Sequence, residues 1–291
     1  MSSFILEAGK KIDSNFWAVI LLLVLAEVLL LNFSIPLNWF CHLVGGYVFW
    51  QIKIEDYPQV FSLLLLPPIL IFAYDSNIIS FLFTASMLLE SVVIYFVRRV
   101  ESWSFAIEIL TIMMLGLLFF ADTFFPEYEQ LFIKYIANIQ NTQSGNLDFL
   151  PGLMLLGLGV EILLFCWLSS RWRHKVKKIA AKITDSANEV RVSLSMLIIT
   201  VSVAIAVYLS QLEFKSYSYL LTFPYFLAGL SCLTWGFKAY KTHKKNSSNN
   251  GILLIFILLY ATFMPLALGF VGLLDVGLNL RKKYDIYLNR R

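Results

Sequence analysis

The feature that most constrains this chain is a row of about nine apolar stretches running almost end to end through its 291 residues. A helix crosses a hydrocarbon core of about 30 Å with about 20 apolar residues. Stretches meeting or approaching that length are residues 16–33, 35–52, 60–74, 78–97, 105–125, 150–168, 192–209, 217–237 and 251–280. The second and third are short, which suits tilted or partly re-entrant passage. The last is too long for one perpendicular crossing, and Pro265 interrupts it. Backbone in lipid must satisfy its own polar groups, so spans this apolar are expected to be helices. The expected fold class is all-α, a polytopic helical membrane bundle. With no linker, internal repeat or low-complexity tract to divide it, 1–291 reads as one membrane domain.

Composition points the same way. Hydrophobic residues make up 59% of the chain and charged ones 14%, against about 45–50% and about 25% in soluble domains. A soluble fold of this length cannot hide so much apolar surface. Cys41, Cys166 and Cys232 lie within or beside apolar stretches without CxxC spacing, so they read as small buried residues rather than metal or redox groups. No cofactor is expected. The first stretch follows Lys10-Lys11 as a signal peptide would. It also contains Glu27 and lacks a small-residue cleavage site, so it reads as a retained span.

Two connecting stretches have helical periods of their own. In 126–146, Tyr128, Leu131, Phe132, Tyr135, Ile136 and Ile139 recur every three or four residues, the mark of an amphipathic helix on the outer surface. In 171–191, Arg171, Arg173, Lys175, Lys177, Lys178 and Lys182 surround a stripe of Trp172, Val176, Ile179 and Ile183. A basic amphipathic segment just after a span suits anionic lipids of the cytoplasmic leaflet. Nucleic acid is the sharper alternative, but the aromatic platforms and soluble fold of such modules are missing. The Lys/Arg bias places this segment, the N-terminus and Arg98-Arg99 in the cytoplasm. Five basic residues after 280 favour a cytoplasmic C-terminus too, against a simple ninth crossing.

Ionisable groups inside spans cost about 2.5–3.5 kcal/mol at mid-helix on insertion scales, so each needs a reason. Here they are Glu161, Glu90, Glu27 and Glu108, with Asp122 and Asp275 nearer segment ends. On one reading these glutamates line a polar cavity that binds a solute or relays protons. On the other they are neutral carboxyls that fix helix packing. His42 falls near the outer end of its stretch and reads as structural, while Glu90 falls in the cytoplasmic half of its own. HExxH, GxSxG and Walker A patterns are absent, which argues against metalloprotease, hydrolase and self-powered pump. The chain is therefore read as a non-enzyme.

The last third carries Phe223-Pro224-Tyr225-Phe226-Leu227-Ala228-Gly229-Leu230, then a Lys-rich loop, then Gly272-Leu273-Leu274-Asp275 and Leu278-Asn279-Leu280-Arg281-Lys282. These residues resemble the YybS-like family of bacterial membrane proteins, through Pro224, Gly229, Gly272, Asp275 and Arg281. Asn279 and Leu280 stand where that pattern has Asp and Phe, so a role for the second acid is not carried over. The resemblance implies a bacterial cytoplasmic (inner) membrane protein, distantly similar to the substrate-binding components of energy-coupling-factor transporters. It also implies a partner ATPase, which fits a chain without a nucleotide motif. Two functions follow from the sequence: a small-solute-binding or transport component, or a membrane scaffold that holds partners on its basic cytoplasmic surface.

Overall fold

The computed structural model describes residues 17–22, 35–75, 85–124, 150–177, 190–210, 214–244 and 265–289, with Glu7, Ile12 and Leu212. The fold is 92% helix and has no strands among the described residues. In chain order the helices are α1 (Ile35–Phe49), α2 (Tyr57–Asp75), α3 (Ser86–Val100), α4 (Trp103–Phe124), α5 (Leu150–Lys177), α6 (Leu194–Leu209), α7 (Phe214–Lys244), α8 (Pro265–Leu278) and α9 (Leu280–Asn289).

Local chemistry explains several boundaries. Arg98 and Arg99 lie in the last turn of α3, where the helix dipole favours cations, and Glu101 ends the helix in a left-handed conformation (φ 56°). Ser193 caps α6 by accepting from the Met196 amide at 3.1 Å. Pro265 opens α8, a position where its missing N–H is no loss. Asn279 separates α8 from α9 at φ 49°, a conformation Asn tolerates better than most residues. The described part of the apolar run 251–280 is thus a short apolar helix that ends at Leu278, and the basic residues after it begin a separate short helix.

Among the described residues three helices are long and apolar enough to cross a membrane: Trp103–Phe124, Pro151–Lys177 and Phe214–Phe237. Trp39–Phe49, Leu194–Leu209 and Ala267–Leu278 are apolar but shorter. Along α6, Leu194, Ile198, Val201, Ile205 and Tyr208 are all at least half exposed on one face. Water penalises such a stripe, and lipid does not. Residues 126–146, the expected outer amphipathic helix, lie outside the described residues, as do Glu27, Lys178 and Lys182. The expected basic segment after the sixth stretch is, as far as Lys177, the end of α5 itself. No glycine or proline stands between Leu168 and Lys177, so nothing stops the helix at the apolar boundary.

The chain divides into two compact units, residues 1–102, 120–145 and 157–182, and residues 103–119, 146–156 and 183–291. In the first unit α1 and α2 both pack on α3. Trp50 is buried and donates to the Cys166 carbonyl at 3.1 Å, and Tyr47 meets Trp172 with ring centroids 4.4 Å apart. Helix ends leave carbonyls without partners, and α1 is finished by two side chains. Tyr57 donates to the Phe49 carbonyl at 2.7 Å, while Arg98 donates to Phe49 at 3.3 Å and also to Ile52. Burial pushes the Tyr57 phenol above its usual range, so it stays protonated and keeps donating.

In the second unit α7 packs along α8. Gly229 and Gly272 face each other there. A Cβ on Gly229 would strike the Leu268 carbonyl, and one on Gly272 would strike the Tyr225 carbonyl. Small residues of this kind let helix backbones touch. Gly272→Ala should therefore force the helices apart, at a cost of about 1–3 kcal/mol typical of overpacking. Thermal unfolding of the detergent-solubilised protein should show a lowered midpoint. An unchanged midpoint would mean that the contact does not hold the pair.

Candidate functional site

The first unit contains a row of three buried polar side chains. Ser86 opens α3 and Glu90 follows four residues later, so both lie on one helix face. His42, from α1, inserts between them. Its Nδ1 is 2.8 Å from Glu90 Oε2, and its Nε2 is 3.1 Å from Ser86 Oγ. Exposures are 3% for Ser86, 1% for His42 and 0% for Glu90, so no bulk water shares these bonds. Phe165 of α5 stacks on the imidazole at 5.6 Å.

Glycine makes this approach possible. A Cβ on Gly46 would strike Glu90 Oε1 and the side chain of Ser169. Ser169 donates to the Cys166 carbonyl at 3.1 Å, and the Cys166 thiol lies 3.8 Å from the Glu90 carbonyl. While Glu90 Oε2 is held by His42, Oε1 is buried without a hydrogen-bond partner among the described residues. Glu161, on α5, is half-buried and also has a buried oxygen without such a partner. It is close enough to Glu90 for the two carboxyl groups to interact electrostatically.

Glu90 and Glu161, expected to share a polar site, thus belong to the same unit. His42 is the residue the sequence reading set aside. The 2.8 Å bond brings it against Glu90, about one turn into α3. Periodicity finds the faces of single helices, whereas the pairing of α1 with α3 is tertiary. The available signal was that a lone buried histidine needs a partner.

Glu108 has a different task. One of its oxygens accepts from the Ser193 amide at 2.5 Å and the other from the Ser193 hydroxyl at 3.0 Å. Ser193 in turn caps α6. Glu108 therefore anchors a helix start, and both of its oxygens are engaged.

The residues that carried the family resemblance are also structural. Arg281 is 1% exposed; its Nε lies 3.0 Å from Asp275 Oδ2, and it donates to the Val190 carbonyl at 2.6 Å and the Ala228 carbonyl at 3.3 Å. One guanidinium thus ties together α7, α8, α9 and the approach to α6. Pro224 lies inside α7, one turn before Ala228. Breaking one side of a buried ion pair typically costs about 3–5 kcal/mol, whereas replacing both sides is far milder. Arg281→Met should accordingly lower stability sharply, and Asp275→Leu combined with Arg281→Met should recover part of the loss. Unfolding midpoints of the two variants check this, and a double variant no better than the single one would contradict the pairing.

Of the expected basic surface residues, those described sit at the end of α5. Arg171 is exposed and stacks over Trp167 at 4.2 Å, Lys175 is exposed, Arg173 is half-buried, and Lys177 donates to Gln51 at 2.6 Å. In the second unit a groove of about 660 Å³ is lined, among the described residues, by Cys232, Trp235, Phe237, Leu280, Lys283 and Tyr284. None of the expected acids lines it. The chain matches no known protein family, no curated protein and no solved structure.

Proposed function

We propose that this chain is a multi-pass membrane component that binds or moves a small solute, with the sealed Ser86–His42–Glu90 row an ionisable centre of that transport rather than the place the solute occupies. The observation that carries this reading is Glu90, a fully buried carboxyl with one oxygen held by His42 and the other unanswered among the described residues. An unmet buried acceptor costs about 1–3 kcal/mol, and more when charged. A centre kept only for stability gains by losing such a group. Ionisable residues retained inside membrane helices mark pathways and relays.

The groove beside Lys283 supplies space of the right scale, since small-molecule sites run to about 300–1,000 Å³. Its wall is aromatic and apolar, with Trp235 and Tyr284 edge to face at 5.9 Å and Lys283 as the cation. A solute with an apolar body and an acidic group suits it. The resemblance to the YybS-like family is part of this proposal. So are a bacterial inner-membrane setting, a cytoplasmic N-terminus and an ATPase partner to supply energy. A scaffold function is the second reading. It is favoured by exposed Arg171 and Lys175 at one end of α5, a charge that suits anionic headgroups or an acidic partner.

Thermal-shift screening of the purified protein against acidic amphiphilic solutes tests the first reading. A true ligand at about 100 times its Kd should stabilise the protein by about 2.7 kcal/mol. Trp235→Ala and Lys283→Ala should reduce that shift, while Glu108→Gln should leave it in place. If no solute stabilises the protein, and Glu90→Gln and Glu161→Gln leave the cellular phenotype intact, the scaffold reading replaces it.

A further inference from the structure

We propose that the ligand of the Ser86–His42–Glu90 row is a proton, passed through the imidazole toward Glu90. This rests on reading the row as functional, but not on any particular solute. Three observations carry it. The row is sealed, with exposures of 3%, 1% and 0%, and a single added carbon on Gly46 would already collide with Glu90 Oε1 and Ser169. A solute has no room there, and a proton needs none.

Connectivity is the second observation. Both imidazole nitrogens are engaged, Nε2 with a hydroxyl and Nδ1 with a carboxyl, so a proton arriving at one nitrogen has an outlet at the other. The third is Glu90 Oε1, an acceptor without a hydrogen-bond partner among the described residues. Other groups around Glu90 are the Cys166 thiol and Glu161 on α5, with Arg98, Tyr57 and Tyr95 grouped farther along α3. Among the described residues, no three His, Cys, Asp or Glu side chains gather as metal ligands.

The transfer balances as follows. The step starts from a neutral imidazole and an ionised Glu90, with Nδ1–H donating to Glu90 Oε2 and the Ser86 hydroxyl donating to Nε2. As an entering proton bonds to the Ser86 oxygen, the original Ser86 O–H bond breaks and its proton forms the Nε2–H bond, while the Nδ1–H bond breaks as its proton moves to Glu90 Oε2. The products are a neutral imidazole of the other tautomer and a neutral carboxyl, with one proton gained overall. The Ser86 oxygen then accepts from Nε2–H, having reversed its role. No oxidant or leaving group is required.

The test uses the full chain in nanodiscs without added solute, followed by infrared difference spectroscopy and an indicator dye across about pH 5–8, where histidine-linked steps fall. One proton should be taken up per chain, together with a carboxyl carbonyl band that shifts in heavy water. Glu90→Gln should remove the band. Ser86→Ala should keep the step but slow proton uptake after a pH jump by roughly a hundredfold, the lower end of what a positioned transfer group contributes. His42→Gln serves as a second variant should Glu90→Gln fail to fold.

A wild-type protein with no such band overturns the proposal, whatever solutes it binds. A band that survives Glu90→Gln does the same. A histidine-dependent fluorophosphonate adduct on Ser86 also overturns it, because the row would then be a nucleophilic triad. A proton step in a protein that binds no solute supports the relay and removes only the transport reading.

Discussion

In a chain this apolar, a buried polar group must find its partner within the protein, because neither lipid nor a packed helix interface supplies one. That constraint organises both units. In the first, the open carbonyls at the end of α1 draw in Tyr57 and Arg98, and His42 finds Ser86 and Glu90. In the second, Glu108 secures the cap of α6, and Arg281 gathers Asp275 with two carbonyls from other segments. Apolar packing fills the space around these contacts, but they fix which helix faces which.

The same rule separates the acids by role. Glu108 accepts from Ser193 at both carboxylate oxygens, while Asp275 accepts from the Arg281 amide at one oxygen and pairs with the Arg281 guanidinium through the other, each at a helix start or a helix junction. Such groups hold structure. Glu90 and Glu161 each keep a buried oxygen without a hydrogen-bond partner among the described residues. A spare acceptor beside a histidine is costly as architecture and useful as a place for a proton. What separates the two kinds of acid is the partners their oxygens have, not their position along a span.

Glycine has a parallel division. Gly229 and Gly272 let two backbones touch, which is a packing function. Gly46 instead makes room for a carboxylate oxygen and a serine side chain, and so shapes the polar row. Both sites are read as small residues in an apolar stretch, and nothing in their neighbours along the chain tells them apart.

Hydrophobic length alone determined the helical class and the membrane-type stretches at 105–125, 150–168 and 217–237, because one helix crossing depends only on local composition. It also singled out Glu90, Glu108 and Glu161 as residues needing an explanation, since the cost of a buried charge is a property of the single residue. It could not separate them. The partners of Glu108 and Glu90 lie 85 and 48 positions away, and only the pairing of helices brings them within hydrogen-bond reach. His42 passed as a structural residue and Asp275 with Arg281 as part of a family signature. The tertiary structure made the first the centre of a polar row and the second a buried clasp, because burial and donor geometry are decided by contacts between helices that no periodicity encodes.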